Sequence, residues 1–240
     1  MRLKYVTMTG ADNSIDPNKL KDISFDFPFV EWGILFSKSK KGKSRYPSSK
    51  WIKSFLKVAE KNEINISCHI CGSWIDDILN GDFTMLKEIP EVVKKFKRIQ
   101  LNFHGGSVDK NNYQKIFDQL SKLDAQYIFQ VDNADNELFN AAVKYGLNAS
   151  CVFDLSHGTG VSPDEWPEKA KGQFCGYAGG LGPDNIREQL IEINKITDDI
   201  VWIDMETKIR SDDDKKFDMS KVVTCLKASS QYVSMIPLEI

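Results

Sequence analysis

The residues of this chain that could carry proton-transfer chemistry are few, and they fall at regular points along it. Only three residues of the chain are histidines. His69 and His104 each stand at the end of a run of apolar and β-branched residues, and so do Asp154, Asp204 and Glu206. Imidazole and carboxyl groups act as general acids and bases, and they also bind metals. These residues therefore indicate a reactive site, provided that the fold brings the ends of the runs together.

A glycine-rich stretch suggests a second function, the binding of an anion. Residues 179–183 read Gly-Gly-Leu-Gly-Pro, follow another apolar run and lead into a helical pattern. Glycines let the backbone approach a ligand closely, and the N–H groups at a helix start favour an anion. The alternative is a plain glycine–proline turn with a helix that begins at Pro183. We favour a phosphate site at Gly179 and Gly180.

The strongest basic run lies between the second and third apolar runs. Residues 38–45 contain four lysines and end at Arg45. Such a run attracts an anionic substrate through its local field, and a guanidinium can hold a carboxylate through two hydrogen bonds. For the lysines we prefer the interpretation of a solvated loop, whereas Arg45 stays a candidate for substrate binding. The acidic residues 212–214 are interpreted as a solvated turn.

Eight runs have the composition of β-strands and are spaced as in successive βα units. They are residues 4–9, 31–36, 64–70, 98–103, 127–131, 150–154, 174–178 and 200–205. Apolar residues at helical spacing fill most of the gaps. Pro90 predicts two short helical pieces after the third run, near 74–79 and 91–96. Pro163 and Pro167 leave room for only a short helix around 164–171.

This alternation predicts an α/β protein in which residues 1–240 form a single (β/α)8 TIM barrel. The main alternative is an open doubly wound sheet. Such a sheet usually has a Gly-x-Gly-x-x-Gly turn after its first strand, and residues 8–11 read Met-Thr-Gly-Ala. In a barrel, the carboxyl ends of all strands meet at one mouth, where active sites lie. The barrel therefore predicts that the candidate residues share one site.

Composition excludes several classes of protein. Lysine and arginine number 32 against 34 aspartates and glutamates, which argues against a nucleic-acid partner bound through bulk charge. No apolar stretch reaches the length of a membrane span, and the first residues lack the apolar core of a signal peptide. We therefore expect a cytoplasmic protein with no membrane partner and with reduced thiols. Cys68 and Cys71 have no second cysteine pair with which to form a zinc site.

Several stretches resemble phosphoribosylanthranilate isomerase, a (β/α)8-barrel enzyme. Residues 179–185 are similar to that family's Gly-Gly-Leu-x-Pro-x-Asn phosphate loop. Residues 154–160, Asp-Leu-Ser-His-Gly-Thr-Gly, resemble its Asp-Ser segment followed by Gly-Thr-Gly, and Trp166 resembles the tryptophan just beyond. Residues 44–48 and 102–105 resemble its Ser-x-Arg-Tyr and Gln-Leu-His-Gly stretches. Asp204 corresponds to an aspartate on the family's eighth strand.

The resemblance implies a site for a phosphorylated substrate, without a metal or a cofactor. The phosphate-binding residues that it implies are Gly158, Thr159, Gly160, Gly179 and Gly180. The substrate-binding residues that it implies are Thr9, Arg45, His104 and Asp204. Asp154 would be the general acid of an Amadori rearrangement, in which a phosphorylated aminoaldose becomes an aminoketose.

One departure from the family concerns the base. The family's first strand ends in Lys-x-Cys-Gly, and its cysteine is the general base, whereas this chain has Thr7 and Thr9 at the two positions. A threonine hydroxyl is no useful base near neutral pH without an activating partner. His69 or Glu206 would then have to serve as the base.

Three hypotheses follow. The first is an isomerase, related to that family, that acts on a phosphorylated sugar or ribose conjugate with an altered base. The second is a metal-dependent barrel enzyme whose ligands come from His69, His104, Asp154, Asp204 and Glu206, although no close metal-binding motif supports it. The third is a non-catalytic protein that binds a phosphorylated small molecule. The sequence does not indicate an oligomeric state.

Overall fold

The strands close into a parallel barrel. The computed structural model describes residues 1–84, 94–103, 109–131, 136–154, 156, 160–169 and 173–233. In these ranges each of eight strands pairs in parallel with the next, and the eighth pairs with the first. The predicted (β/α)8 barrel is therefore confirmed. No helix in these ranges is both long and apolar enough to cross a membrane.

Each predicted run contains one strand, and the ends agree to within two residues. The strands are β1 Arg2–Thr9, β2 Val30–Phe36, β3 Asn65–Ile70, β4 Arg98–Leu101, β5 Gln126–Val131, β6 Ala149–Asp154, β7 Cys175–Ala178 and β8 Ile200–Met205. Most strand residues are buried, because parallel strands in a barrel are covered on both faces.

Helices cover the outside of the barrel. Those in the described ranges are α1 Pro17–Asp26, α2 Ser49–Lys61, α3 Ser73–Leu79, α4 Tyr113–Leu120, α5 Glu137–Tyr145, α6 Ile186–Ile196 and α7 Met219–Ser229. Side-chain caps fix several starts: Asp16, Ser48, Asn136 and Asp218 each accept a hydrogen bond from a backbone N–H of the first turn. Short 3-10 helices lie at Lys110–Asn112, Thr207–Ile209 and Ser230–Tyr232.

Three helix predictions need comment. The short helix predicted at 164–171 is wrong over residues 164–169, which contain no helix. The buried Trp166 ring donates there to Gln189 on α6, at 2.8 Å.

Helix α6 begins at Ile186 rather than at Pro183, because residues 183–185 form a turn. The first piece after β3 is confirmed as α3. Of the second piece, 91–96, only residues 94–96 are described, and Lys94 and Lys95 form a turn.

Charged and aromatic side chains fill the barrel interior near the amino ends of the strands. Arg98, the first residue of β4, donates from Nη1 to both oxygens of Glu31, at 2.6 and 2.7 Å. Its guanidinium lies over the Trp202 ring, 4.5 Å from the centroid. Trp202 has room there because its neighbour is Gly176, where an added Cβ would lie 2.2 Å from the indole. This filled layer closes the barrel beneath its mouth.

Candidate active site

A cavity of about 240 Å³ lies at the mouth formed by the carboxyl ends of the strands. The predicted site residues that border it are Arg45, Asp154, Gly160, Gly179, Gly180, Asp204 and Glu206. Thr9 and His69 do not border it; they are buried inside the barrel and contact Asp204 there. His104, Gly158 and Thr159 lie outside the described residues. The barrel thus brings most of the described candidates to one cavity.

Asp204 is held from inside the barrel. The Thr9 hydroxyl donates to Asp204 Oδ1 at 2.7 Å, and Nδ1 of His69 lies 3.9 Å from Asp204 Oδ2. Both neighbours fit inside the barrel because β2 carries Gly33. A Cβ at Gly33 would lie 2.2 Å from Thr9 Oγ1 and 2.9 Å from His69 Nε2. The glycine therefore makes the space that this cluster occupies.

The environment of Asp204 favours its protonated form. Only 7% of the residue is exposed. Burial raises the pKa of Asp204 to about 8; the Thr9 hydrogen bond opposes this shift, and the negative charges of Glu206, Asp154 and Glu31 add to it. At neutral pH the group is thus mostly a neutral carboxylic acid.

His69 is a neutral imidazole. Burial, together with the positive charge of Arg98, lowers the pKa of His69 to about 3. Its Nε2 lies 3.0 Å from the Ser67 hydroxyl, which can donate to it. In that case Nδ1 carries the ring proton and faces Asp204, but 3.9 Å is too long for a hydrogen bond. The contact between His69 and Asp204 therefore joins two neutral groups and is no ion pair.

Asp154 has different surroundings. Its Oδ2 accepts a hydrogen bond from the Gln130 amide at 2.8 Å, and its Oδ1 accepts from the hydroxyl and the backbone N–H of Ser156, at 2.7 and 3.2 Å. An ionised carboxylate can only accept hydrogen bonds, so three donors on two oxygens fit an ionised Asp154. The two aspartates at the mouth thus differ in the form that their neighbours favour.

The strand register places these two carboxyl groups at one level of the barrel. Asp154 on β6 is paired with Ala178 on β7, and Ala178 is paired with Asp204 on β8. Alternate strands of a (β/α)8 barrel point side chains into the same interior layer. With ~4.8 Å between neighbouring strands, the two Cα atoms are roughly 9 Å apart. Both residues also border the cavity at the mouth.

The loops after β6 and β7 are joined at the predicted phosphate site. Gly179 and Gly180 have φ values of 113° and 64°, which favour glycine, and a Cβ at Gly180 would lie 2.2 Å from the backbone nitrogen of Ser162. The Asn185 amide donates to the Gly180 carbonyl at 3.0 Å and to the Ser162 hydroxyl at 2.9 Å. In the described part of the chain, the N–H groups of Gly179 and Gly180 donate to no protein acceptor.

Arg45 and Glu206 are already bound to each other. Arg45 Nη1 donates to Glu206 Oε1 at 2.7 Å, and Arg45 Nε lies 3.0 Å from both oxygens of Asp214. The predicted carboxylate-binding arginine and one candidate base thus neutralise each other at the rim. A substrate carboxylate could bind Arg45 only by displacing the carboxylate of Glu206 or Asp214.

A second arginine, which the sequence analysis missed, fixes this rim. Arg210 is fully buried and donates to the Gly10 carbonyl at 2.6 Å, to Asp12 at 2.9 Å and to Asp214 at 2.6 Å. Asp214 therefore anchors both arginines, and the interpretation of residues 212–214 as a merely solvated turn is wrong for Asp214. The only sequence signal would have been an arginine close after the eighth strand.

Two further residues at the cavity were also missed. Lys208 is exposed and borders the cavity beside the glycine loop. The two segments are so close that a Cβ added at Gly182 would lie 2.3 Å from the Cβ of Lys208. Cys71 borders the cavity from the end of β3, and its sulfur accepts a hydrogen bond from the Asn102 amide at 3.1 Å. Burial and the charge of Glu206 raise the pKa of Cys71 to about 12, so it stays a thiol near neutral pH.

The described residues include no group of three or more histidine, cysteine, aspartate or glutamate side chains that could hold a metal ion. His69, one of the ligands considered, faces Ser67 and the inside of the barrel. Its position does not favour the metal-dependent hypothesis, although His104 lies outside the described residues.

Comparison with known proteins supports the fold. No family model and no curated protein sequence matches the chain. Monomers of phosphoribosylanthranilate isomerase from Thermotoga maritima are similar in structure, with 14% identity, a TM-score of 0.52, and 94% of this chain and 98% of that one covered. A truncated 3-deoxy-D-arabino-heptulosonate 7-phosphate synthase from the same organism has 9% identity and a TM-score of 0.55, with 95% and 85% covered.

A third similar structure is 3-keto-L-gulonate-6-phosphate decarboxylase from Vibrio cholerae. It has 8% identity and a TM-score of 0.51, with 98% of this chain and 100% of that one covered. Identities this low relate the chain to these proteins by fold alone. The function of the protein must therefore be inferred from the residues at the barrel mouth.

Proposed function

We propose that this protein is an enzyme that isomerises a phosphorylated sugar or ribose conjugate by proton transfer at the barrel mouth. The observation that carries the proposal is the pair of aspartates at one level of the barrel. Asp154 and Asp204 border one cavity: Asp154 accepts three hydrogen bonds, as a carboxylate does, whereas burial favours the neutral acid at Asp204. A carboxylate beside a neutral carboxylic acid lets one site supply both a base and an acid.

The glycine loop supplies the phosphate-binding half of the proposal. The N–H groups of Gly179 and Gly180 are available to an anion, and Gly160 borders the same cavity from the loop after β6. Lys208 adds a positive charge at this end. Loops after the seventh and eighth strands are the usual phosphate site of (β/α)8 barrels. The names of two similar structures specify sugar phosphates, which is consistent with this class of ligand.

Phosphoribosylanthranilate itself is a less suitable substrate. The family's basic thiol is replaced by Thr9, whose hydroxyl is buried and bonded to Asp204. Arg45, the residue suited to the substrate's carboxylate, is held by Glu206 and Asp214. We therefore propose a phosphorylated substrate without a carboxylate at that position.

The test is hydrogen exchange between substrate and solvent. The protein is incubated in D2O with aldose and ketose phosphates of five and six carbons, with phosphoribosylanthranilate, and with the unphosphorylated sugars. Proton NMR then follows loss of the hydrogen on the carbon beside the carbonyl or amine-bearing carbon. We expect exchange with at least one phosphorylated sugar and none with its unphosphorylated form. Phosphosugar binding without any exchange would favour the non-catalytic binder instead.

Lys208→Ala is expected to weaken phosphate binding about tenfold, because it removes a charge-assisted hydrogen bond. Lys227→Ala, an exposed lysine on α7, is the matched control and should bind as the wild type does. Titration with inorganic phosphate, followed calorimetrically, measures the effect. Equal affinity in both variants would contradict this site. Gly180→Asp is less informative, since any side chain at Gly180 meets Ser162 and disturbs the loop itself.

A further inference from the structure

We propose that Asp204 is the proton donor of this site, that Asp154 is its proton acceptor, and that Thr9 and His69 are positioning residues that act through Asp204. The inference rests on the proposed function and assigns roles within it. It gives Asp154 the opposite role from the acid that the family resemblance implies. It also gives Thr9, which replaces the family's basic cysteine, a task that a hydroxyl can perform.

Within the described ranges, Asp204 is buried without a cation beside it. Among the described residues, no lysine or arginine forms an ion pair with it. The titratable groups that face it are His69 from β3, Asp154 from β6, Glu31 from β2 and Glu206 from its own loop. These are one neutral imidazole and three acids. An ionised carboxylate is costly to bury in such surroundings, so the site favours the neutral acid.

The Asp204 carboxyl group is oriented by Thr9 and His69. The Thr9 hydroxyl donates to Oδ1 at 2.7 Å, which makes Oδ1 the acceptor oxygen and leaves the acidic proton on Oδ2. His69 Nδ1 is 3.9 Å from Oδ2, too far to form a hydrogen bond with that oxygen. The imidazole thus restricts rotation of the Asp204 carboxyl group, but it does not accept the proton on Oδ2. The proton remains available to a ligand in the cavity that Asp204 borders.

Asp154 is suited to accept a proton from the substrate. Its two oxygens receive hydrogen bonds from Gln130 and Ser156, and it borders the same cavity. Hydrogen bonds of this kind favour the carboxylate, the form in which the group can take a proton from carbon. Glu206 could also accept, but it is paired with Arg45 at 2.7 Å.

The resulting step is balanced without a further reactant. Asp154 removes the proton from the substrate carbon beside the carbonyl, and the C–H electron pair forms a carbon–carbon double bond. The carbonyl π pair moves to oxygen, which takes the proton of Asp204. In the second half, the neighbouring hydroxyl returns a proton to Asp204 and becomes the new carbonyl. Asp154 then delivers its proton to the former carbonyl carbon, so that both groups are restored.

The test is a direct titration of Asp204 in the ligand-free protein. Carbon-13 NMR follows the side-chain carboxyl signals of the wild type from pH 5 to pH 9.5, and the Asp204→Asn variant identifies the Asp204 signal. We expect it to titrate near pH 8. In Thr9→Val the midpoint should rise by about one pH unit, because the hydroxyl that stabilises the anion is gone. Thr9→Ser keeps a hydroxyl and should titrate as the wild type does.

The exchange reaction supplies the second readout. If Asp204 is the donor, the rate should fall on the alkaline side with the midpoint seen by NMR, and Thr9→Val should move both midpoints together. If the signal shows that the Asp204 carboxyl group is already ionised at pH 6, the inference is wrong. If the protein nevertheless exchanges the substrate hydrogen, the proposed function still stands. A midpoint near pH 8 without exchange on any phosphosugar would instead overturn the proposed function. A midpoint that is unchanged in Thr9→Val would remove Thr9 from the positioning role.

Discussion

Replacing Asp204 with asparagine is expected to stabilise the folded protein at alkaline pH while it slows proton exchange on the substrate by 10²- to 10⁴-fold, the usual contribution of a general acid. The gain in stability follows from the raised pKa of Asp204, about 8 instead of 3.8. Between these values the unfolded chain releases a proton that the folded protein keeps. The free energy of unfolding therefore falls by up to ~1.4 kcal/mol for each pH unit of increase.

His69 has the opposite pH dependence. Its pKa is lowered from 6.5 to about 3, so below pH 6.5 the unfolded chain gains a proton that the folded protein does not take up. This contribution to stability falls as the pH falls, and between pH 4 and 6.5 it offsets the trend caused by Asp204. Above pH 6.5 the contribution of His69 levels off, while Asp204 continues to lower the free energy of unfolding. From pH 6.5 to 8 the wild type should lose about 1.6 kcal/mol that Asp204→Asn retains, because the folded protein itself begins to release the proton near pH 8.

Urea unfolding of both proteins at pH 6.5 and at pH 8 measures this difference. Asp164→Asn, the same substitution in an exposed loop, is the control and should follow the wild type. Parallel pH dependences for wild type and Asp204→Asn would show that Asp204 is ionised in the folded state. A variant that is more stable and less active at once is the result expected when a group is kept for chemistry at a cost to the fold.

The barrel and its mouth could be predicted because both follow from local patterns. Strand and helix periodicities repeat along the chain, and a barrel collects the residues that follow each strand. Asp154, Asp204 and the two glycines of the β7 loop therefore reach one cavity as expected. No knowledge of distant contacts was needed to place them there.

What these side chains do at the mouth could not be predicted, because it depends on distant partners. Thr9 meets Asp204 across 195 positions of the sequence, and Arg45 meets Glu206 across 161. No spacing rule relates such pairs, and each pair decides whether a group is free, neutral or already bound. Lys208 was missed for the opposite reason, since a lone lysine after a strand resembles any solvated one.

The charged pair inside the barrel connects the fold to the chemistry of the mouth. Glu31 and Arg98 are 1% and 6% exposed, and the Thr7 hydroxyl donates to Glu31 at 2.8 Å. The charge of Arg98 helps to keep His69 neutral, and the charge of Glu31 adds to the raised pKa of Asp204. The pair thus contributes to the electrostatic environment in which Asp204 and His69 are both uncharged.

Arg98→Met is accordingly expected to destabilise the barrel by about 3–5 kcal/mol, because it leaves Glu31 buried without its counter-charge. Methionine is the informative replacement, since its thioether can pack on the rings of Tyr5 and Trp202 that now flank the guanidinium. Adding Glu31→Gln removes the unpaired charge and keeps an acceptor for Thr7, so the double variant should recover most of the loss. Urea unfolding of the two single variants and the double variant measures the coupling. If the double variant were as unstable as Arg98→Met, the loss would come from packing rather than from the buried charge.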